Sequence, residues 1–494
     1  MIDQLPIINL VLLLTTALII PFTQKISFKT TKIMGFAVLA IVLVSNILLL
    51  NYVQSEGAFY YNLGGYSRTI GIEFYLNRLS VFFTLFVILL AIIIFTYSTK
   101  DIEHDVYAQD YGRYYTLVFI LLFSMLGIVY TNDLFNTYVF MEILSITTCS
   151  IISIKRSKKN YTAAFRYLML NEVGSLSYLF GVALLYMVTG HLNIGLAAES
   201  IQQVWHLYPS NIVIALGFMV IGVSIKAAIF PFHIWLPDAH STAPSASSAI
   251  LSAIVVKVYI IIMLKVLLKL IGVDILVSLN IPMFLTIIAA SGMLIGSLFA
   301  LGQKDVKRML GYSSIAQIGY IVLGISLMSP LGLTASLFHI VSHGLMKAAL
   351  FLSAGAFIYM KNQRAINGFN GLGYQMPISM IVFSIAGLGM IGIPGTSGFI
   401  SKFNLGVAIL DANQGFLLVV LIVSGVLNAM YYLPIMINAF LKDNPENIRV
   451  MRFEKLPKTM MFPIILLGMM ILIVGFFPNL VMQYIEAAVD VLMT

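Results

Sequence analysis

Leu79–Ser98 reads LSVFFTLFVILLAIIIFTYS, twenty residues without one charged side chain. At about 1.5 Å per residue a helix of that length covers about 30 Å, the hydrocarbon thickness of a bilayer. Moving outward in both directions, apolar runs between polar breaks predict spans at 6–22, 31–52, 79–98, 114–130, 133–153, 162–188, 210–236, 246–270, 275–301, 306–328, 331–360, 376–409, 414–440 and 459–486. Only 10% of the 494 residues are charged and 60% are hydrophobic, where a soluble domain is about 25% charged. With a mean hydropathy of +0.98, the chain is expected to be an all-α membrane protein. A length that in a soluble chain suggests several domains is therefore read as one transmembrane bundle over 1–494.

The formal charge is +8, but the cations sit in short clusters between apolar spans and form no aromatic-interleaved basic face. Nucleic acid is thus excluded as a partner. The clusters read as topology signals. Alternate loops collect Lys25, Lys29, Lys32, Lys100, Arg113, Lys155, Arg156, Lys158, Lys159, Lys304, Lys307, Arg308, Lys361, Arg364, Lys442, Arg449, Arg452, Lys455 and Lys458, while the other set holds Arg68, Arg78, Lys265 and Lys269. Because cytoplasmic loops collect Lys and Arg, both termini are expected outside. Met1–Pro6 lacks the basic start of a cleavable signal, so the N-terminal apolar stretch is expected to remain as the first span. The single cysteine, Cys149, leaves no basis for an internal disulfide framework, a Cys-ligated iron–sulfur cluster or a zinc ribbon.

Two spans carry internal breakers. One reads Lys226-Ala-Ala-Ile-Phe-Pro231-Phe-His233-Ile-Trp235-Leu-Pro237, and the other Gly392-Ile-Pro394-Gly395-Thr-Ser-Gly398-Phe-Ile-Ser-Lys402. Proline removes a backbone donor and glycine loosens the helix, so each span is expected to be discontinuous at membrane depth. Such breaks persist only where protein or water satisfies the freed carbonyls. Two of them in distant halves of one chain point to an inverted-repeat transporter core.

Ionisable residues fall inside the predicted spans: Glu142, Glu172, Lys226, Lys257, Lys347 and Lys402. Each costs at least about 2.5–3.5 kcal/mol to insert, on the order of 15 kcal/mol for the set before pairing, a load that marks a pathway more often than a scaffold. Burial moves amine and carboxyl pKa values toward neutrality and an opposite charge moves them back, so these residue types suit a switchable proton relay. The structural alternative is a set of static ion pairs fixing helix register.

His339, His343 and Lys347 are spaced four apart and share one helix face of about 12 Å, the geometry of a proton wire. Two histidines at that spacing can also hold a metal, but no carboxylate or thiolate accompanies them, and none is expected. His233, beside Pro231, is placed to link the path to water. For Asp238-Ala-His240 a solvated or capping role stands even with proton uptake. Tyr312, Ser313, Ser314 and Gln317 suit either water binding or helix packing. Neither a Rossmann fingerprint nor a phosphate-binding loop is present, and no cofactor is expected.

These residues match a family pattern. The chain resembles the antiporter-like subunits shared by respiratory complex I, Mrp-type sodium/proton antiporters and membrane-bound energy-converting hydrogenases. The marks are Phe140-Met-Glu142, Lys226 with Pro231–Pro237, Lys257, Asp305-Val-Lys-Arg308, His339 and His343 with Lys347-Ala-Ala-Leu-Phe351, and Gly392-Ile-Pro394 with Ser397–Lys402. The resemblance implies fourteen helices with two inverted five-helix repeats, each supplying one broken helix. Residues 1–113 would hold helices 1–3, 114–270 the first repeat, 275–440 the second and 459–494 the final helix. It implies that Glu142 pairs with Lys226, that the signal passes through Lys257 and Lys347 toward Lys402, and that Glu172 is an acidic partner.

The resemblance further implies a prokaryotic cell membrane, neighbouring membrane subunits as partners, and protons as cargo, with sodium left open. Lys402 stands where one complex I branch carries glutamate and so argues against that branch, the run from His343 to Leu350 looks like the D-type member of the Mrp antiporters or its hydrogenase counterpart, and Gly395-Thr-Ser-Gly398 departs from the form of several complex I and Mrp members. The rivals are a complex I pumping subunit, a quinone-reactive redox subunit and a stand-alone transporter.

Overall fold

The computed structural model describes residues 2–442 and 454–493, so Arg449 and Arg452 of the basic-loop set lie outside the described residues. Among the described residues, thirteen helices are long and apolar enough to cross a membrane. A further span, the twelfth, is divided into Pro377–Ile391 and Ser397–Asp411, which brings the described spans to fourteen, as the apolar runs predict.

Each boundary has a local cause. The third span, Arg78–Asp105, opens on a reciprocal capping box between Asn77 and Ser80. Asp133 caps the fifth, Leu134–Ser153, Ser157 the sixth, Lys158–Thr189, and Asp305 the tenth, Val306–Ser326. The eleventh, Pro330–Lys361, combines a Ser329 cap with proline at its first position. Between the second span, Phe28–Ser55, and the third, strands β1 (Phe59–Asn62) and β2 (Glu73–Leu76) form an antiparallel hairpin with Phe59 opposite Leu76. Glu73 fastens it to the bundle by accepting hydrogen bonds from Asn132 and Asn193.

Burial separates the spans into layers. The eighth, Ser245–Ile271, the tenth and the eleventh are buried over 94%, 94% and 100% of their most apolar stretches, while the thirteenth, Phe416–Leu441, is buried over 28%. The three innermost helices therefore lie away from lipid, and they carry Lys257, Ser313, Ser314, Gln317, His339, His343 and Lys347. Polar side chains concentrated on the most enclosed helices are the reverse of what anchoring in lipid requires.

Both predicted breaks are present. The seventh span runs Pro209–Lys226, opens, and resumes as Trp235–Thr242. Trp235 Nε1 donates to the Ile225 carbonyl across the opening at 2.9 Å, and Ile229 N donates to Ser224 O at 2.9 Å, so protein groups take up carbonyls freed there. The eighth span departs from α-helical geometry at Leu251–Val255 and Lys265–Ile271, both wound as π-helix.

The basic loops meet on one face. Lys155, Lys158, Lys159, Arg166, Arg308 and Arg364 line a cavity of about 1220 Å³ together with Asp105, Asp238 and Asp305. Ion pairs cross it from Lys155 to Asp105 at 2.5 Å, Arg166 to Asp238 at 2.7 Å and Arg364 to Asp305 at 3.0 Å. Lys265, from the opposite set, donates to the carbonyls of Ile128, Val129 and Thr131, closing the C-terminal end of the fourth span, Tyr111–Tyr130.

Candidate functional site

Lys226 ends the first arm of the seventh span and is fully buried. Its Nζ donates to Ser145 Oγ at 2.5 Å and stands 3.6 Å from Glu142 Oε1. Ser145 and Glu142 are three residues apart on the fifth span and so share a face. Glu172 on the sixth span joins the same electrostatic cluster. Ser145 Oγ also lies 3.4 Å from Tyr259 Oη, on the helix that carries Lys257.

Lys257 sits just past the first π-segment, and its Nζ donates to the Ser252 carbonyl inside that segment. An i to i+5 helix leaves carbonyls poorly matched to the following amides, so the irregularity supplies the lysine with an acceptor. Ser252 Oγ meets Ser314 Oγ of the tenth span at 2.9 Å. Lys347 donates to Leu310 O at 2.8 Å and to Ser313 Oγ, which in turn meets Tyr432 Oη at 2.9 Å.

The two histidines of the eleventh span stack with ring centroids 5.9 Å apart and planes 8° from parallel. His343 lies within electrostatic range of Lys257, Lys347, His339 and Lys402, which makes it the hub of the row. Neither of its ring nitrogens has a protein partner. His339 Nδ1 meets Ser401 Oγ at 2.9 Å, next in sequence to Lys402. Lys402 donates to the carbonyls of Met390 and Ile391 at 2.6 and 3.1 Å, over the Tyr320 ring.

Seven of the nine residues singled out in the sequence therefore form two connected clusters: Glu142, Glu172 and Lys226 on one side, and Lys257, His339, His343 and Lys347 along the centre. Lys402 closes the row through Ser401. His233 is buried but stacks on Phe230 at 5.4 Å and packs against Phe299 at 6.2 Å. Instead, the structure brings His240 to the lysines. It is fully buried with both ring nitrogens unpartnered, packs tilted against Phe351 with ring centroids 5.0 Å apart, and lies within electrostatic range of Lys347 and Lys257. Asp238, Ser241 and Thr242 of the same short arm line the charged cavity, so this arm separates the cavity from the row. Ser145 is a further site residue the sequence reading omitted, although its three-residue spacing from Glu142 was a usable signal.

Residues 131–428 match the family model described as NADH:quinone oxidoreductase/Mrp antiporter, transmembrane. NADH-quinone oxidoreductase subunit N of Desulforudis audaxviator is 34% identical over 488 residues, covering 96% of each chain. The D-type subunit of the Na(+)/H(+) antiporter of Alkalihalophilus pseudofirmus is 30% identical, covering 92% of this chain and 90% of its own. A chain of the membrane-bound sulfane sulfur reductase, an archaeal respiratory membrane complex, superposes with a TM-score of 0.89 at 26% identity, over 99% of this chain and 98% of that one.

Proposed function

The chain belongs to the NADH:quinone oxidoreductase/Mrp antiporter transmembrane family, and from that premise we propose that it is a proton-translocating, antiporter-like subunit of a multisubunit complex in a prokaryotic cell membrane. The observation that carries this reading concerns charge. Of the four lysines along the row, Lys226 alone has carboxylates beside it among the described residues, while Lys257, Lys347 and Lys402 face only neutral oxygens. A register-fixing ion pair needs its anion, and three of these four lysines have none.

In this reading Glu142 and Lys226 form the switching pair, with Glu172 as a second acid. Lys257 and Lys347 relay through His339 and His343, and Lys402 is the terminal donor or acceptor. His240 takes protons up from the charged cavity, and His233 keeps a supporting place beside the seventh break. The unpartnered atoms of His343, His240, Gln317 and Ser353 are the points to which a water wire would bond, since buried polar groups are satisfied by protein or by water. The repeats would span 114–270 and 275–440, both termini would lie outside, and the partners would be neighbouring membrane subunits.

Between family branches we favour the D-type Mrp member or its hydrogenase counterpart. The Lys402 terminus and the run from His343 to Leu350 support it, as does the antiporter relative at 30% identity. A complex I-type role is the second reading, favoured by the 34% identity to an NADH-quinone oxidoreductase chain. Purification of the complex from native membranes separates the two: NADH oxidation carried by the same particle selects the second.

The deciding experiment is proton and sodium transport by the intact complex in sealed vesicles, with its own driving reaction supplied where it has one. Wild type is compared with Lys226→Ala and Glu142→Gln after normal assembly is verified. Loss of transport with assembly intact supports the switching pair. Unchanged transport overturns it in favour of static packing.

A further inference from the structure

The first span, Leu5–Ile26, and the fourth, Tyr111–Tyr130, pack side by side in opposite directions. Asn9 meets Tyr130 Oη at 3.5 Å near one end, Thr116 Oγ1 donates to Ala17 O at 3.2 Å in the middle, and Gln24 Nε2 donates to Ala108 O at 3.1 Å near the other. The first span is buried over only 39% of its most apolar stretch, so this pair forms a lipid-facing edge of the bundle. Where the two helices reach the basic-loop face, Pro21, Gln24, Lys25, Gln109 and Arg113 line a cavity of about 310 Å³.

Cations are in excess at this cavity. Asp110, buried and outside the lining, accepts from both Arg113 and Arg156 at 2.7 Å through the same oxygen, so that trio carries one net positive charge. Lys25 adds a second, and among the described residues its ammonium has no partner. The other N–H groups of Arg113 and the exposed amide of Gln109 have no protein acceptor either. Gln24 is fixed against the fourth span: a Cβ at Gly112 would sit 1.8 Å from its Oε1, so only glycine leaves it room.

Away from the mouth the lining turns apolar. Leu14, Leu18, Pro21 and Lys25 follow one another at the spacing of a single helix face, with Leu14 36% and Leu18 60% exposed. Arg113, Leu117 and Ile120 form the matching stripe on the fourth span, and Leu117 and Ile120 are half-buried. Each stripe thus begins at a cation and continues into the membrane as hydrocarbon, the polarity of a phospholipid read from headgroup to chain.

We propose that this groove seats one anionic phospholipid, its phosphate between Lys25 and Arg113 and an acyl chain along Leu14 and Leu18. Basic pockets between spans on the Lys/Arg-rich side suit anionic headgroups, and a guanidinium offers phosphate a fork of parallel donors. The proposal goes beyond the translocation reading and does not depend on it. An acidic segment of a neighbouring subunit would satisfy the cations but leave both apolar stripes uncovered, which favours lipid. The plainer account is that Lys25 and Arg113 are topology signals with no bound partner.

The test titrates the purified, delipidated intact complex with radiolabelled dioleoyl phosphatidylglycerol, and in parallel with dioleoyl phosphatidylcholine. Lys25→Gln/Arg113→Gln is compared with Lys304→Gln/Lys361→Gln, which removes two exposed cations without side-chain partners from the same loop set. The expected result is one phosphatidylglycerol fewer per complex, or at least a tenfold loss of affinity, in the first pair and less than a twofold change in the second. No loss in the first, or an equal loss in both, overturns the seat and leaves general surface charge. Phosphatidylcholine held as tightly as phosphatidylglycerol at the affected site overturns the selection for an anion. Glycerol phosphate that displaces the lipid at equal concentration overturns the lipid in favour of a bare anion site. Release of a neighbouring subunit from the first double variant, with no lipid bound there in wild type, overturns it in favour of an acidic protein segment. Should that variant fail to assemble, Lys25→Glu decides alone, because Lys25 has no protein bond to lose. At least a tenfold weakening then supports the seat, and unchanged phosphatidylglycerol binding overturns it. Proton transport by the wild-type complex is scored separately, so failure of the seat leaves translocation standing.

Discussion

The ammonium of Lys226 is bonded to the Ser145 hydroxyl at 2.5 Å, while its carboxylate partner Glu142 stands off at 3.6 Å. The serine therefore holds the lysine short of a closed ion pair. A hydrogen bond to a charged group contributes about 1.5–3 kcal/mol, enough to bias which neighbour the ammonium chooses. Ser145→Ala should release Lys226 toward Glu142 and tighten the pair. Proton transport by the assembled complex is expected to fall about tenfold, with little change in thermal midpoint. A variant that transports at the wild-type rate would show that Ser145 is a bystander.

Trp235 closes the seventh break through one donor, Nε1 on Ile225 O at 2.9 Å, while its ring packs edge-on against Tyr167. Trp235→Phe keeps most of the ring and removes the donor, weakening the cap on a buried carbonyl. The expected cost is about 1–3 kcal/mol, read as a lower thermal midpoint in detergent. Trp235→Leu, which also loses the aromatic packing, should fall further. Equal midpoints for wild type and Trp235→Phe would assign closure of the break to Ala228 N alone.

How much of this was legible in sequence depends on what each feature leaves in the pattern. Spans such as Leu79–Ser98 were legible because lipid demands length and apolarity, and the breaks because Pro231 with Pro237, and Gly392 with Pro394 and Gly395, crowd several breakers into one span, whereas the lone Pro21 and Pro434 sit inside intact helices. The π-segments at Leu251–Val255 and Lys265–Ile271 were not, since uniformly apolar residues give no period from which to read winding. His240 was ambiguous because Asp238, Ser241 and Thr242 around it look like surface. Only the fold turns that histidine inward while its neighbours line the cavity. The hairpin Phe59–Leu76 leaves a short aromatic alternation that a search for spans passes over.

Asp133 offers a pH-dependent test outside the spans. It caps the fifth helix by accepting from Asn136 N at 2.6 Å, and burial raises its carboxyl pKa above the usual value. A raised folded pKa means the folded state holds the proton more tightly than the unfolded chain. The stability this confers is complete below the ordinary carboxyl value and is lost as pH climbs through the raised one. Asparagine caps equally well and does not titrate. Asp133→Asn should therefore gain on wild type as pH rises through that window and hold a constant advantage above it. Asp133→Ala should lose about 0.5–2 kcal/mol of capping. Thermal midpoints measured against pH check both, and a pH-independent difference between Asp133→Asn and wild type would contradict the assignment.

Gly392 and Gly395 allow the role of Lys402 to be separated from the stability of the twelfth break. Both adopt positive φ, +98° and +88°, where an L-residue is strained by about 1–3 kcal/mol. A methyl at Gly392 would sit 2.9 Å from Lys402 Cδ, and one at Gly395 would meet only the Phe476 ring, at 3.3 Å. Alanine at either position should thus lower the thermal midpoint by a similar amount, because the backbone cost is shared. At 392 the long lysine side chain must also yield, drawing Nζ off the carbonyls of Met390 and Ile391. Proton transport per assembled complex is expected to drop at least tenfold in Gly392→Ala and to stay within twofold of wild type in Gly395→Ala. Equal transport losses in the two variants would mean that the break matters only as a hinge, and that the position of the Lys402 ammonium does not limit the rate.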